Sequence, residues 1–217
     1  MRIISLRIVG SSTMSGKAMV RNRDPFANAL AAISHRLTTG VYGEGDPIVI
    51  LDEAKRLGLS TTPVREALAW LCGAGLVDRA PVGGYRAPRL DAALLKDWYG
   101  FRSDCLSIGL RAIDRTPIPS HPTDDMDAVF DWIVDRADNV ALSDAFRRTG
   151  LLLQRVREAE HRLLGSADGA RAALVEAIAG RRFDTLSAHI RDYYAIRLDS
   201  AAALAFEANL AKARTEK

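Results

Sequence analysis

The residues with most chemistry to offer lie in "LSTTPVREALAWLCGAGLV", residues 59–77. Ser60, Thr61 and Thr62 place three cap-competent hydroxyls in a row, and Pro63 is tolerated only within a helix's first turn. Val64, Ala67, Leu68 and Leu71 recur at helical spacing, which leaves Arg65 and Glu66 on another face. Gly75 suits the left-handed residue that closes such a helix. A helix start presents N–H groups that favour phosphate, and hydroxyls and an arginine beside it reach nucleic-acid base edges. Whether Arg65 is an idle, solvated side chain or faces a partner depends on the elements around it.

Catalytic chemistry has no positive signal. The chain carries no Ser-His-Asp arrangement, HExxH, P-loop or GxGxxG, so no enzyme and no cofactor is expected. Cys72 and Cys105 fit neither a metal spacing nor a disulfide framework, and both lie on apolar helix faces as core cysteines do. His161, His189 and His121, the last in a proline-rich loop, read as surface or structural histidines.

Two modest domains fit within 217 residues. No apolar run approaches the ~18 residues needed to cross a bilayer. Arginine interrupts the apolar start, "MRIISLRIVGSSTMSGKAMV", which argues against a signal peptide, and the two core cysteines without a disulfide framework make the cytoplasm the expected compartment. Residues 1–21 are expected to form a disordered tail, with Met14 or Met19 as alternative starts. Residues 1–90 hold twelve Lys and Arg against seven Asp and Glu, whereas residues 91–217 hold eighteen against twenty. A basic first segment on a slightly acidic second one points to a polyanion partner for the first.

The pattern predicts an amphipathic helix over about 24–39, with Phe26, Leu30, Ile33 and Leu37 on one stripe. Gly40, Gly43 and Gly45 break it, and Pro47 opens a short extended piece. A second, short helix near 52–57 ends at Gly58, and only "LS" separates it from the helix that carries Arg65. That is a helix-turn-helix pattern. "LVDRA", the "PVGG" turn and "YRAP" read as a β-hairpin, which makes residues 22–89 a winged-helix domain. Beyond Pro88 only helices are predicted. One covers 90–114 with Leu94, Trp98, Phe101, Cys105, Ile108 and Ala112 on a face. A loop, "TPIPSHPT", must end it, and helices follow at about 123–137, 141–164, 168–180 and 183–212. Residues 90–217 are therefore expected to form an all-helical antiparallel bundle, giving a mostly α fold class.

The segment "GLSTTPVREALAWLCGAGLVDRAPVGGYRAP" resembles the winged-helix signature of GntR-type bacterial transcription regulators. "LKDWYGFRSDCL", "DAVFDWIVDRADNVAL" and "ARAALVEAIAGRRFDTLSAHIRDYY" resemble the all-helical effector-binding domain of the FadR/VanR branch. The resemblance spans roughly residues 22–200 and implies that the "TPVREAL" helix enters a DNA major groove. Arg65 is then a base or phosphate contact, with Thr61 and Thr62 beside it. Gly84 matches the wing tip, and Arg86 beside it is placed for a minor groove. Thr61 stands where the family usually carries arginine, and so does Leu51 within this branch.

Many members of the branch hold a divalent metal with one aspartate and three histidines. The motif positions here carry Asp127, Asp131, Arg171 and Tyr193, and Arg102 matches a family arginine that lines the pocket. Arginine has no free lone pair, so no metal is expected. The cluster reads either as an internal charge-paired network, with Arg171 on one or both aspartates, or as a pocket for an organic anion. The resemblance implies a homodimer on palindromic double-stranded DNA, a repressor released by a small carboxylate effector. Two alternatives remain at this point: a helical metal-binding or enzymatic module with a DNA-binding head, and a dimeric DNA-binding protein without effector.

Overall fold

The computed structural model describes residues 24–113 and 125–215. The expected tail 1–21, and the proline-rich loop with His121, lie outside the described residues. Helix α1 (Pro25–Thr38) starts where Asp24 accepts hydrogen bonds from the amides of Phe26 and Ala27, with Pro25 in the first turn. Its stripe of Ala29, Leu30, Ile33 and Leu37 is buried. Strand β1 (Pro47–Ile48) leads directly into α2 (Ile50–Leu57), which Gly58 closes at φ 64°. Helix α3 (Thr61–Gly73) follows after the three-residue link Gly58, Leu59 and Ser60, and buries Val64, Ala67, Leu68 and Leu71. Gly75 takes φ 76° just beyond it.

Strands β2 (Asp78–Arg79) and β3 (Tyr85–Arg86) form the hairpin. β1 joins its free side, so the antiparallel order is β1-β3-β2, with Ile48 and Arg79 both opposite Tyr85. These elements close one apolar core, in which each fully buried aliphatic side chain contributes roughly 1.5–3 kcal/mol. A polar exception sits at its rim. Glu53 is buried, accepts from Tyr42 Oη and Arg56, and lies 3.4 Å from Arg36 Nε. Burial alone would raise the Glu53 carboxyl, but the bonds from Arg56 and Tyr42 and the charges of Arg36 and Arg56 bring it below its ordinary value. Burial and the Glu53 carboxylate push the Tyr42 phenol up to about 12.

The second core is built by α4 (Ala92–Ile113), α5 (Met126–Asp135), α6 (Val140–Leu153), a 3-10 turn (Gln154–Val156), α7 (Arg157–Leu164), α8 (Asp168–Ala179), α9 (Phe183–Asp199) and α10 (Ala201–Thr215). Two helices expected to be continuous are divided: the 3-10 turn separates α6 from α7, and Ser200 separates α9 from α10. The face of α4 also differs from the expected one. Its buried residues are Leu95, Tyr99, Arg102, Cys105, Leu106, Gly109 and Ile113, while Phe101 and Ile108 stay 40% and 43% exposed. The inward face includes an arginine and a glycine, so apolarity alone selects the wrong side. Gly109 is there for closeness: a Cβ would stand 2.3 Å from the Ile133 carbonyl oxygen of α5.

Candidate nucleic-acid interface and interior cavity

Ser60 is the N-cap of α3, with extended backbone, but its side chain makes no cap bond. The first-turn amides of α3 therefore lack the side-chain acceptor that the three hydroxyls led us to expect, and they keep their attraction for an anion. On the outer face of this helix Thr62, Arg65 and Glu66 are exposed, and Thr61 is half-buried. Among the described residues, no carboxylate forms an ion pair with Arg65. The wing tip holds Val82, Gly83 and Gly84; the two glycines have φ 96° and 85°, and Val82 is 99% exposed. Arg86 is half-buried on the inner strand, 3.9 Å from Asp78. Arg79 on the outer strand is exposed, with its guanidinium over the Tyr85 ring, so the wing offers a second cation that sequence reasoning passed over.

Inside the bundle lies a cavity of about 240 Å³. Arg102, Asp127, Arg171 and Tyr193 all line it; Asp131 is not among its lining residues. One turn beyond Asp127 on α5, Asp131 faces Arg147 of α6 at 3.4 Å. Burial raises the Asp131 carboxyl despite the nearby charges of Arg147 and Arg102. Arg171 forms an ion pair at 3.7 Å with Asp168 on its own helix, where the sequence reading expected Asp127 or Asp131.

The cavity wall is held by groups distant in sequence. Arg102 is 4% exposed; its NH1 donates to the Phe146 carbonyl at 2.7 Å, its Nε donates to Tyr194 Oη at 3.3 Å, and its NH2 lies 3.7 Å from Asp127. Its guanidinium also stacks 3.7 Å from the Phe146 ring centre. Arg157 binds the other oxygen of Asp127. Glu160, also on the wall, accepts from Tyr99 Oη at 2.5 Å and from Arg197 Nε at 3.1 Å. Burial, reinforced by Glu160, pushes the Tyr99 phenol well above its usual range, so it remains a donor. Tyr193 and Tyr194 are likewise raised chiefly by burial.

A divalent transition metal does not fit this donor set. Asp127 is already met by two guanidinium groups, which repel a cation, and the motif positions supply no imidazole. Among the described residues, no group of three or more His, Cys, Asp or Glu side chains is placed to hold a metal ion. What the wall can do is exchange partners: an incoming anion takes a guanidinium from a carboxylate that it already pairs with. Arg157, Glu160, Tyr99 and Arg197 were missed in the sequence because their partners lie 30 or more positions away. Tyr194, adjacent to Tyr193, was the nearest available signal.

No protein-family model and no curated protein matches the chain. Among solved structures, a proposed transcriptional regulator GntR from Rhodococcus sp. RHA1 superposes with a TM-score of 0.66 at 12% identity, covering 81% of this chain and 96% of that one. E. coli McbR/YncC gives a TM-score of 0.59 at 15% identity, over 82% and 96%. The hairpin wing, the α2–α3 pair and the helical bundle therefore form, together, the fold of these two solved structures.

Proposed function

We propose that the chain is a sequence-specific DNA-binding transcription regulator of the GntR type, FadR/VanR branch. The observation that carries this reading is Arg65: an exposed guanidinium, without an ion-pair partner among the described residues, in the first turns of α3. The anion-favouring helix start and the basic charge of residues 1–90 supply the non-specific part of DNA affinity, and Arg65 with Thr61 and Thr62 supplies base readout. Gly84 and Arg86 of the wing approach the neighbouring minor groove. Residues 22–89 act as the DNA-binding domain and residues 90–217 as the effector-binding and dimerisation domain, in the cytoplasm. Selection from random duplexes at fixed salt tests this: a short palindrome should emerge, and enrichment without any consensus would end the reading.

The protein acts as a homodimer, and α4 offers the surface. Phe101 and Ile108 stand exposed seven residues apart, with Trp98 beside them only partly buried. Phe101→Asp should lower the sedimenting mass of the full chain at micromolar concentration toward that of a monomer; an unchanged dimer would move the interface elsewhere.

The cavity holds a small organic acid that releases the repressor from DNA, through Arg102, Asp127, Arg171 and Tyr193, with Asp131 behind them. A bundle that senses nothing is the second reading, favoured by the internal pairing of Arg102 and Arg197. A panel of small carboxylates separates the two. A ligand at 100 times its Kd should stabilise the protein by about 2.7 kcal/mol, whereas a silent panel supports the second reading.

A further inference from the structure

Helix α6 and its 3-10 turn carry two stripes at helical spacing. Phe146, Gly150 and Leu153 form one, and it faces the cavity. Phe146 accepts from Arg102 and Leu153 lines the cavity. A Cβ on Gly150 would stand 2.7 Å from Arg102 NH1. Arg148, Leu151, Leu152 and Arg155 form the other stripe, and it faces the winged helix. Leu151 and Leu152 pack against its core. Arg155 NH1 donates to the Pro88 carbonyl at 3.0 Å. Arg148 donates from Nε to the Ala74 carbonyl at 2.7 Å and from NH2 to the Gly73 carbonyl at 3.2 Å.

Gly73 is the last residue of α3 and Ala74 its C-cap. Carbonyls there have no intrahelical partner and carry the negative end of the helix dipole, so a guanidinium is the fitting side chain to hold them. The close packing continues at Gly75, where a Cβ would stand 3.2 Å from Arg148 NH2. One rigid helix thus touches Arg102 on one side and the end of α3 on the other.

Taking α3 as the DNA-contacting helix, as proposed above, we infer that Arg148 is the positioning residue that carries the state of the cavity to α3. Displacement of the Arg102 guanidinium shifts α6 at Gly150. The shift moves Arg148, and with it the C-terminal turn of α3. The order of contacts is Asp127, Arg102, Gly150, Arg148, Ala74.

Hydrogen exchange on the full chain tests this without a known effector or operator. Gly150→Ala serves as the probe, since its methyl must push Arg102 aside. Exchange is read at the amides of Ala74, Gly75 and Leu76, with Thr39 at the end of α1 as the control. The expected result is roughly a fivefold or greater change at residues 74–76 and none at Thr39. In an Arg148→Ala background, itself faster at those amides, Gly150→Ala should add less than about twofold. Arg148→Lys, which keeps the charge on a single donating nitrogen, should restore part of the response.

An equal effect of Gly150→Ala with and without Arg148 would overturn the inference. If Gly150→Ala does not fold, Asp127→Asn removes the carboxylate charge facing Arg102 without added bulk, and unchanged amides in that variant overturn it equally. Failure of the wild-type protein to bind DNA would remove the reading of α3 yet leave this exchange result as it stands, so the two failures are distinguishable.

Discussion

The two halves of the molecule use arginine in opposite ways. In the winged helix Arg65 points outward, exposed, and the core behind it is apolar except for Glu53 at its rim. In the bundle Arg102 and Arg197 are 4% and 7% exposed, and each is matched by a carboxylate and a carbonyl. An outward charge costs little, since water solvates it. An inward charge is tolerable only when every donor is met, and it then ties together helices far apart in sequence. The first half leaves its charge in the open, and the second closes its charges around a small cavity.

The contrast breaks most visibly at Arg102. Arg102→Ala takes the donor from the Phe146 carbonyl and the Tyr194 hydroxyl and empties a buried site, and should destabilise the bundle by about 4 kcal/mol. Calorimetry would read this as a fall in Tm of roughly 10 °C. A fall under 2 °C would mean that the inward charges are incidental. Gly109→Ala should cost about 3 kcal/mol by forcing α4 and α5 apart, and an unchanged Tm would contradict the close crossing.

Glu53 sharpens the comparison, because it is the head's own inward charge. Glu53→Gln should cost about 2 kcal/mol, less than a fully buried pair because Arg36 and Arg56 keep access to water. The sign with pH follows from its lowered carboxyl. The stabilisation is complete above the unfolded value near pH ~4.3 and is lost as pH falls through the lower folded value. The Tm gap between wild type and Glu53→Gln should therefore be full at neutral pH and close in acid. A gap that widens in acid would refute the assignment.

The same contrast explains what could be read in advance. Pro63, Gly58 and Gly75 act through their own backbones, so the helix-turn-helix and its ends are visible in a short window. The turn at Gly83 and Gly84 is equally local. The bundle was legible as helices but not as faces, since Arg102 and Gly109 belong to the interior of α4 for reasons found on α5 and α6. Asp127 and Asp131 share a helix side in projection, yet Arg147 engages one and Arg102 with Arg157 the other. The Arg148 grip on α3 joins residues 74 positions apart, and no spacing rule reaches that far.

The outward charge decides the central claim. Arg65→Ala should leave the stability within about 0.5 kcal/mol of wild type, as a surface change does. Titrated by fluorescence anisotropy on the selected palindrome at fixed salt, the same variant should lose about 1–3 kcal/mol of affinity, together with discrimination at the base it reads. Unchanged affinity and unchanged specificity in that titration would contradict the account and take Arg65 out of the interface.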